Sequence, residues 1–174
     1  LFDECRALLC EEYGALDLES PAVPWNHTDY YEEEMGRDLL RKFFFFEKPI
    51  DPALLTSIKK RTNGIEALKA VTSERRVRRR INLDPGYVTE AKVVLASAKD
   101  FAHRIYIGER VYAEVTLQYR GRDRTFLSLE HTYPDFRTKE TIELFLKARE
   151  MLRKGLRLKP IAEQVGQGPV RTST

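Results

Sequence analysis

Titratable side chains of both signs cluster in a few stretches of the chain, at spacings that suit acid–base work or the holding of an anion. In the first, His103 to Ile107 and Val111 to Tyr119 read as two strands flanking Gly108-Glu109-Arg110. Strand alternation sends Val111, Ala113, Val115 and Leu117 to one side, and Tyr112, Glu114, Thr116 and Gln118 to the other. With Ile107 paired to Val111, Arg104 falls opposite Glu114 and Tyr106 opposite Tyr112. A return strand from Arg124 to Thr132, with Tyr119 paired to Thr125, puts Glu130 beside Glu114 and Ser128 beside Thr116. One face then carries the row Arg104–Glu114–Glu130. Two readings fit that row. It is either a solvated sheet face stitched by charge pairs worth roughly 0.2–1 kcal/mol each, or a site whose adjacent carboxylates share a proton or a divalent cation. A register slip of one residue would send the whole row to the opposite face. Lys99, His103 and Arg104 gather positive groups at the entrance, where Lys99 and Arg104 would clamp an anion and His103 would carry a proton.

A second stretch, Asp29-Tyr30-Tyr31-Glu32-Glu33-Glu34, has a complete structural explanation as the acidic first turn of a short helix. Its paired tyrosines, next to His27, also suit a ligand-facing loop. The third, Asn82-Leu83-Asp84-Pro85-Gly86-Tyr87, is a Pro-Gly turn placed where Asp84 and backbone N–H groups can meet a ligand. The basic run Arg75-Arg76-Val77-Arg78-Arg79-Arg80 suits a solvated strand end or, as a second reading, phosphates of a nucleic acid. Phosphate-loop, dinucleotide-binding, nucleophile-elbow and zinc-protease motifs are all missing, so no P-loop nucleotide site is expected.

The elements that must position these groups follow from periodicity. Leu1 to Tyr13 is a helix closed by Gly14. Leu16 and Leu18 alternate in an extended stretch. Phe43 to Phe46 reads as a strand buried on both faces. Asp51 caps a helix with Pro52 at its first position, running to about Val71 through Leu54, Leu55, Ile58, Ile65 and Leu68. Arg75 to Leu83 reads as a strand and Thr89 to Ala98 as a short helix. The three-stranded meander follows, then a last helix from Lys139 to Leu156. Because the chain opens inside a helix, one strand before residue 1 would complete a ferredoxin-like β-α-β-β-α-β core. The expected class is α+β, with an antiparallel sheet, helices packed on one face, and the meander and C-terminal helix extending it.

The chain has 174 residues, 42% apolar, 33% charged and 10% aromatic, which suits one domain and excludes disorder throughout. A domain over residues 1–158 is expected, with a disordered tail at 159–174 where Gly, Pro, Gln, Ser and Thr take over. Thirty basic against 27 acidic residues leave +3, too small a bias to indicate a nucleic-acid or membrane partner. Cys5 and Cys10 lie about 140° apart around their helix, so free thiols and a cytoplasmic location are expected. No run approaches the roughly 20 apolar residues of a membrane helix.

Four motifs in order carry a family resemblance: Thr28-Asp29-Tyr30-Tyr31-Glu32…Met35-Gly36, Ile81-Asn82-Leu83-Asp84-Pro85-Gly86-Tyr87, Lys99…Ala102-His103-Arg104-Ile105-Tyr106 with Tyr112-Ala113-Glu114-Val115-Thr116-Leu117, and Thr132-Tyr133-Pro134-Asp135. Over residues 1 to 156 the chain resembles the prokaryotic family called domain of unknown function 4416. The resemblance implies no reaction. Some members are labelled GTP-binding proteins, an activity that the missing phosphate loop does not support here. Members usually open with a short apolar strand, in line with the strand expected before residue 1. The arginine run is longer here than is usual in the family. The motifs coincide with the polar groups singled out above. Asp84, His103 and Glu114 are therefore the candidate catalytic residues. Asp29, Tyr30, Tyr31, Glu32, Tyr87, Lys99, Arg104 and Tyr133 are the candidate binding residues. The expected function is a small-ligand-binding protein or enzyme with a cleft of mixed charge, its ligand a small molecule or anion and its cofactor, if any, a divalent cation. A nucleic-acid-binding accessory domain and a structural subunit without catalysis are the alternatives.

Overall fold

The computed structural model describes residues 1–26, 32–73 and 76–158; the candidates Asp29, Tyr30 and Tyr31, and the expected tail at 159–174, lie outside them. Helix α1 (Phe2–Tyr13) is followed by β1 (Leu16–Glu19), β2 (Val23–Pro24), the short α2 (Glu32–Met35), β3 (Leu40–Arg41) and β4 (Phe44–Phe46). Gly14, at φ 94°, ends α1 with its N–H on the Cys10 carbonyl, as a C-terminal glycine does. Asp51 opens the next helical segment by accepting from the Ala53 N–H at 2.9 Å, and α3 (Leu55–Lys69) follows. Then come β5 (Val71–Ser73), β6 (Arg76–Arg78), β7 (Gly86–Val88), β8 (Lys92–Ser97), β9 (Ile105–Gly108), β10 (Val111–Arg120), β11 (Thr125–Ser128) and α4 (Lys139–Leu158).

The class is α+β and every strand pairing described is antiparallel. The main sheet has five strands in the order β11-β10-β8-β7, with β9 also paired to β10. Residues 89–98, expected as a helix, hold strand β8. Val93 and Val94 are adjacent and both buried, because this central strand is covered on both sides. Such a strand has a continuous apolar run rather than alternation and resembles a helix in periodicity. The ferredoxin-like order rested on that helix, so it has no support among the described residues. The stretch 75–83, expected as one strand, pairs only over Arg76–Arg78.

The core is divided by a β-bulge. Val115 lies opposite Val94 but Leu117 lies opposite Val93, so Thr116 is the extra residue and β10 changes faces there. Before it, Val111, Ala113 and Val115 pack with Val94, Ala96 and Leu55 of α3. After it, Leu117 packs with Val93, Phe126, Phe136 and Phe145 of α4, with Phe43 and Phe45 against them. The two long helices thus cover opposite faces, where packing on one face was expected. Leu54, just before α3, and Leu68 on it are exposed while Leu55 and Ile65 are buried, so the buried stripe is narrower than the apolar residues suggest.

Candidate functional site

Register decides which side chains meet. Glu114 lies opposite Leu95, and Tyr112 opposite Ser97, so Glu114 and Ser97 share the face that carries Val93 and Leu117. The turn from Lys99 to Arg104 then folds back over that face. Its N-terminal part is fixed by the Lys99 N–H donating to Ser97 Oγ. The Arg104 Nε–H donates to Glu114 Oε2 at 2.6 Å. Its Nη1 donates to Ser97 Oγ at 2.6 Å and to the Lys99 carbonyl at 3.1 Å. Its Nη2 reaches the Tyr133 hydroxyl at 3.4 Å, and the guanidinium lies over the Phe101 ring. The two charged side chains are 3% and 2% exposed.

His103, 27% exposed, places Nε2 at 3.1 Å from the same Glu114 oxygen. Its ring stacks on His131 at 4.2 Å between centroids. Tyr106 pairs with Tyr112 as expected and Arg104 meets Glu114 through its side chain, whereas Val111 pairs with Gly108 and not with Ile107. Glu130 is not the neighbour of Glu114 that was expected. Ser128 lies opposite Leu117 and Thr125 opposite Arg120, one residue from the expected register, because the turn closes on Arg120 and Thr125 rather than on Tyr119 and Thr125. Strand β11 ends before Glu130, which is exposed. Glu114 and Thr116 are also buried, which removes the reading of a solvated sheet face.

Asp84 belongs to a second group, built on α3. Lys59 and Glu66 are 4% and 5% exposed and stand on one side of the helix, two turns apart. They grip both main-chain groups of Leu83: the Lys59 ammonium donates to its carbonyl at 2.8 Å, and its N–H donates to Glu66 Oε1 at 2.7 Å. Lys59 also donates to Asp84 Oδ1 at 3.1 Å, and Asn82 Nδ2 donates to Asp84 Oδ2 at 2.6 Å. Arg79 joins Glu66 and Asn82 through Nη1, and Glu34 of α2 through Nε and Nη2 at 2.6 and 2.8 Å. The hydrogen bond from Arg79 holds the Glu34 carboxyl below the usual range against the opposing effect of burial, and the charge of Lys99 acts in the same direction. Lys99 thereby links the two groups electrostatically.

Tyr87 pairs with Val94 and packs against the apolar cluster under α3; burial pushes its phenol up. Glu32 is exposed and pairs with Arg37 at 3.4 Å. Asp84 and Glu114 do not hydrogen-bond to each other. They stand on either side of β8, whose two neighbours are about 9.5 Å apart, and border one extended groove that runs from α1 to α4 and also touches Lys59, Glu66, Arg79, Lys99, Arg104 and Tyr133. His103 is outside the lining, behind Glu114.

Lys59, Glu66, Arg79, Ser97 and His131 were not anticipated. A signal for the first two exists: Lys59, Thr62 and Glu66 interrupt the buried stripe of α3 at helical spacing, where apolar residues would be cheaper to bury. Among the described residues, no group of three or more His, Cys, Asp or Glu side chains could hold a metal ion, and no helix is long and apolar enough to cross a membrane.

The fold and cleft define an α+β protein whose buried ion pairs border one extended groove. The family model Domain of unknown function (DUF4416) matches residues 1–152, and the chain belongs to this family. No curated protein and no solved structure matches it.

Proposed function

We propose that the protein binds a small polar, anionic ligand in this cleft and acts on it by proton transfer. One observation carries the reading: two nearly solvent-free ion pairs, Lys59–Glu66 and Arg104–Glu114, border one extended groove together with the half-buried Lys99 and the exposed Tyr133. Buried ion pairs contribute little net stability compared with apolar residues of the same volume, so their concentration along one groove favours a role toward a ligand. Lys99 and the Nη2 edge of Arg104, with Tyr133, would hold the anionic end. Glu114 is the candidate base, oriented by Arg104. Asp84, its two oxygens already bonded to Lys59 and Asn82, is better placed to fix the cleft wall than to react.

The reading is tested by thermal unfolding of the whole chain against inorganic phosphate, small carboxylates and nucleotides, each with and without magnesium or manganese. A ligand at one hundred times its Kd adds about 2.7 kcal/mol, and roughly 2–4 °C per kcal/mol is expected at this size. A raised midpoint that shrinks in Lys99→Met and Tyr133→Phe supports the reading. A cooperative melt that no compound shifts overturns it. The nucleic-acid reading is weaker, because Arg79 of the basic run is bonded to Glu34 and Glu66 rather than presented outward.

A further inference from the structure

His131 has no place in the cleft as described, yet it is the residue packed flat on His103. The rings are 12° from parallel. Both are pinned by hydrogen bonds whose direction is fixed by chemistry. His131 Nε2 lies 3.0 Å from the Val115 carbonyl, which can only accept, so that nitrogen carries hydrogen. His103 Nε2 faces Glu114 Oε2, the oxygen that also accepts from the Arg104 Nε–H, so it too carries hydrogen. In each neutral ring the remaining lone pair is then on Nδ1. Neither Nδ1 is among the buried polar atoms without a partner. The fold spends a strand carbonyl and a buried carboxylate on holding two imidazoles in one orientation.

We propose that Glu114, His103 and His131 form one proton-transfer unit through the cleft wall: Glu114 orients His103, and His131 is a positioning residue that fixes the His103 ring. Glu114 lines the cleft while His103 meets the same carboxylate from the solvent side. A hydronium proton taken up at His103 Nδ1 lets Nε2 pass its own proton to Glu114 Oε2, leaving a neutral ring protonated at Nδ1; when the carboxyl returns that proton to Nε2, Nδ1 releases one to water and the starting state is restored. This rests on the reading of Glu114 as the base of the cleft, but its test needs no ligand. The groups around His103 are Glu114, Arg104 behind it, the Phe101 ring and His131.

The experiment is a ¹H–¹⁵N correlation of the imidazole groups in the whole, ligand-free chain, with His103→Gln used for assignment. A His103 Nε2–H shielded from exchange with water is expected. It should persist in His131→Phe, which keeps a ring, and vanish in His131→Gln, which keeps a donor for Val115 but no ring. A wild-type His103 Nε2–H that exchanges as freely as that of an exposed histidine ends the proposal, even if neither variant folds. So does a folded His131→Gln that retains the signal, or a folded His131→Phe that loses it. Failure here with a ligand-shifted melting point would leave the cleft reading standing, and the reverse result would separate the two equally well.

Discussion

The Glu114 carboxylate has almost no water around it, so Arg104, His103 and the Thr116 hydroxyl, the last at 3.4 Å, take the place of hydration. Removing one charge of such a pair leaves the other buried without compensation, a loss of about 3–5 kcal/mol. Glu114→Gln is therefore expected to lower the unfolding free energy by that order in urea titration, and Arg104→Met by a comparable amount. The double variant should lose clearly less than the sum of the two, since the second substitution removes a charge that the first has orphaned. Strict additivity would mean that the ion pair is not the interaction being broken. Lys59 and Glu66 differ in kind: their partners include the main chain of Leu83, so their loss should free the segment that carries Asp84.

Elements position these residues through two backbone features. At Gly86 in β7, a Cβ would collide with the Val94 carbonyl oxygen and approach the Leu95 side chain to 2.7 Å. The Leu95 side chain can turn aside, but the Val94 carbonyl is backbone and cannot. Gly86→Ala should cost ~1–3 kcal/mol as an overpacked site, read as a lower urea midpoint, and part β7 from β8. An unchanged midpoint would show that the edge strand is not packed so closely. The other feature is the bulge at Thr116, where β10 changes the face it turns to each helix. Arg104, Glu114 and His103 were legible because the hairpin from β9 to β10 is short and its Tyr106–Tyr112 pairing follows from alternation, whereas Tyr133 was named only by its family motif. Glu130 was misplaced because the β10–β11 turn closes one residue from the expected register and β11 ends at Ser128. Strand β8 was taken for a helix because being covered on both sides erases the period of two. Lys59 was missed because a buried lysine is recognisable only from its partners, and Leu83 and Asp84 lie 24 and 25 residues away.

For the whole molecule, Arg79 is the tie. It bonds Glu34 of α2, Glu66 of α3 and Asn82 of the segment between β6 and β7. Glu34 is held below the usual carboxylate range chiefly by the Arg79 hydrogen bond. A depressed folded-state value contributes stability that is present above the unfolded value of about 4.3 and is lost as pH falls through the folded value. Glu34→Gln should therefore be less stable than the wild type at neutral pH, with the gap closing below about pH 4. A gap that stays constant through that range would mean that the charge of Glu34 is not what ties α2 down. Another long-range consequence comes from β10. Because the strand changes faces at Thr116, its first half is held by α3 and its second half by α4. Neither helix can release its half without dislodging backbone on which the other depends, so the two apolar clusters are expected to melt in one transition. Glu114 sits just before the crossing, where rocking of either helix against the sheet would be felt at its carboxylate.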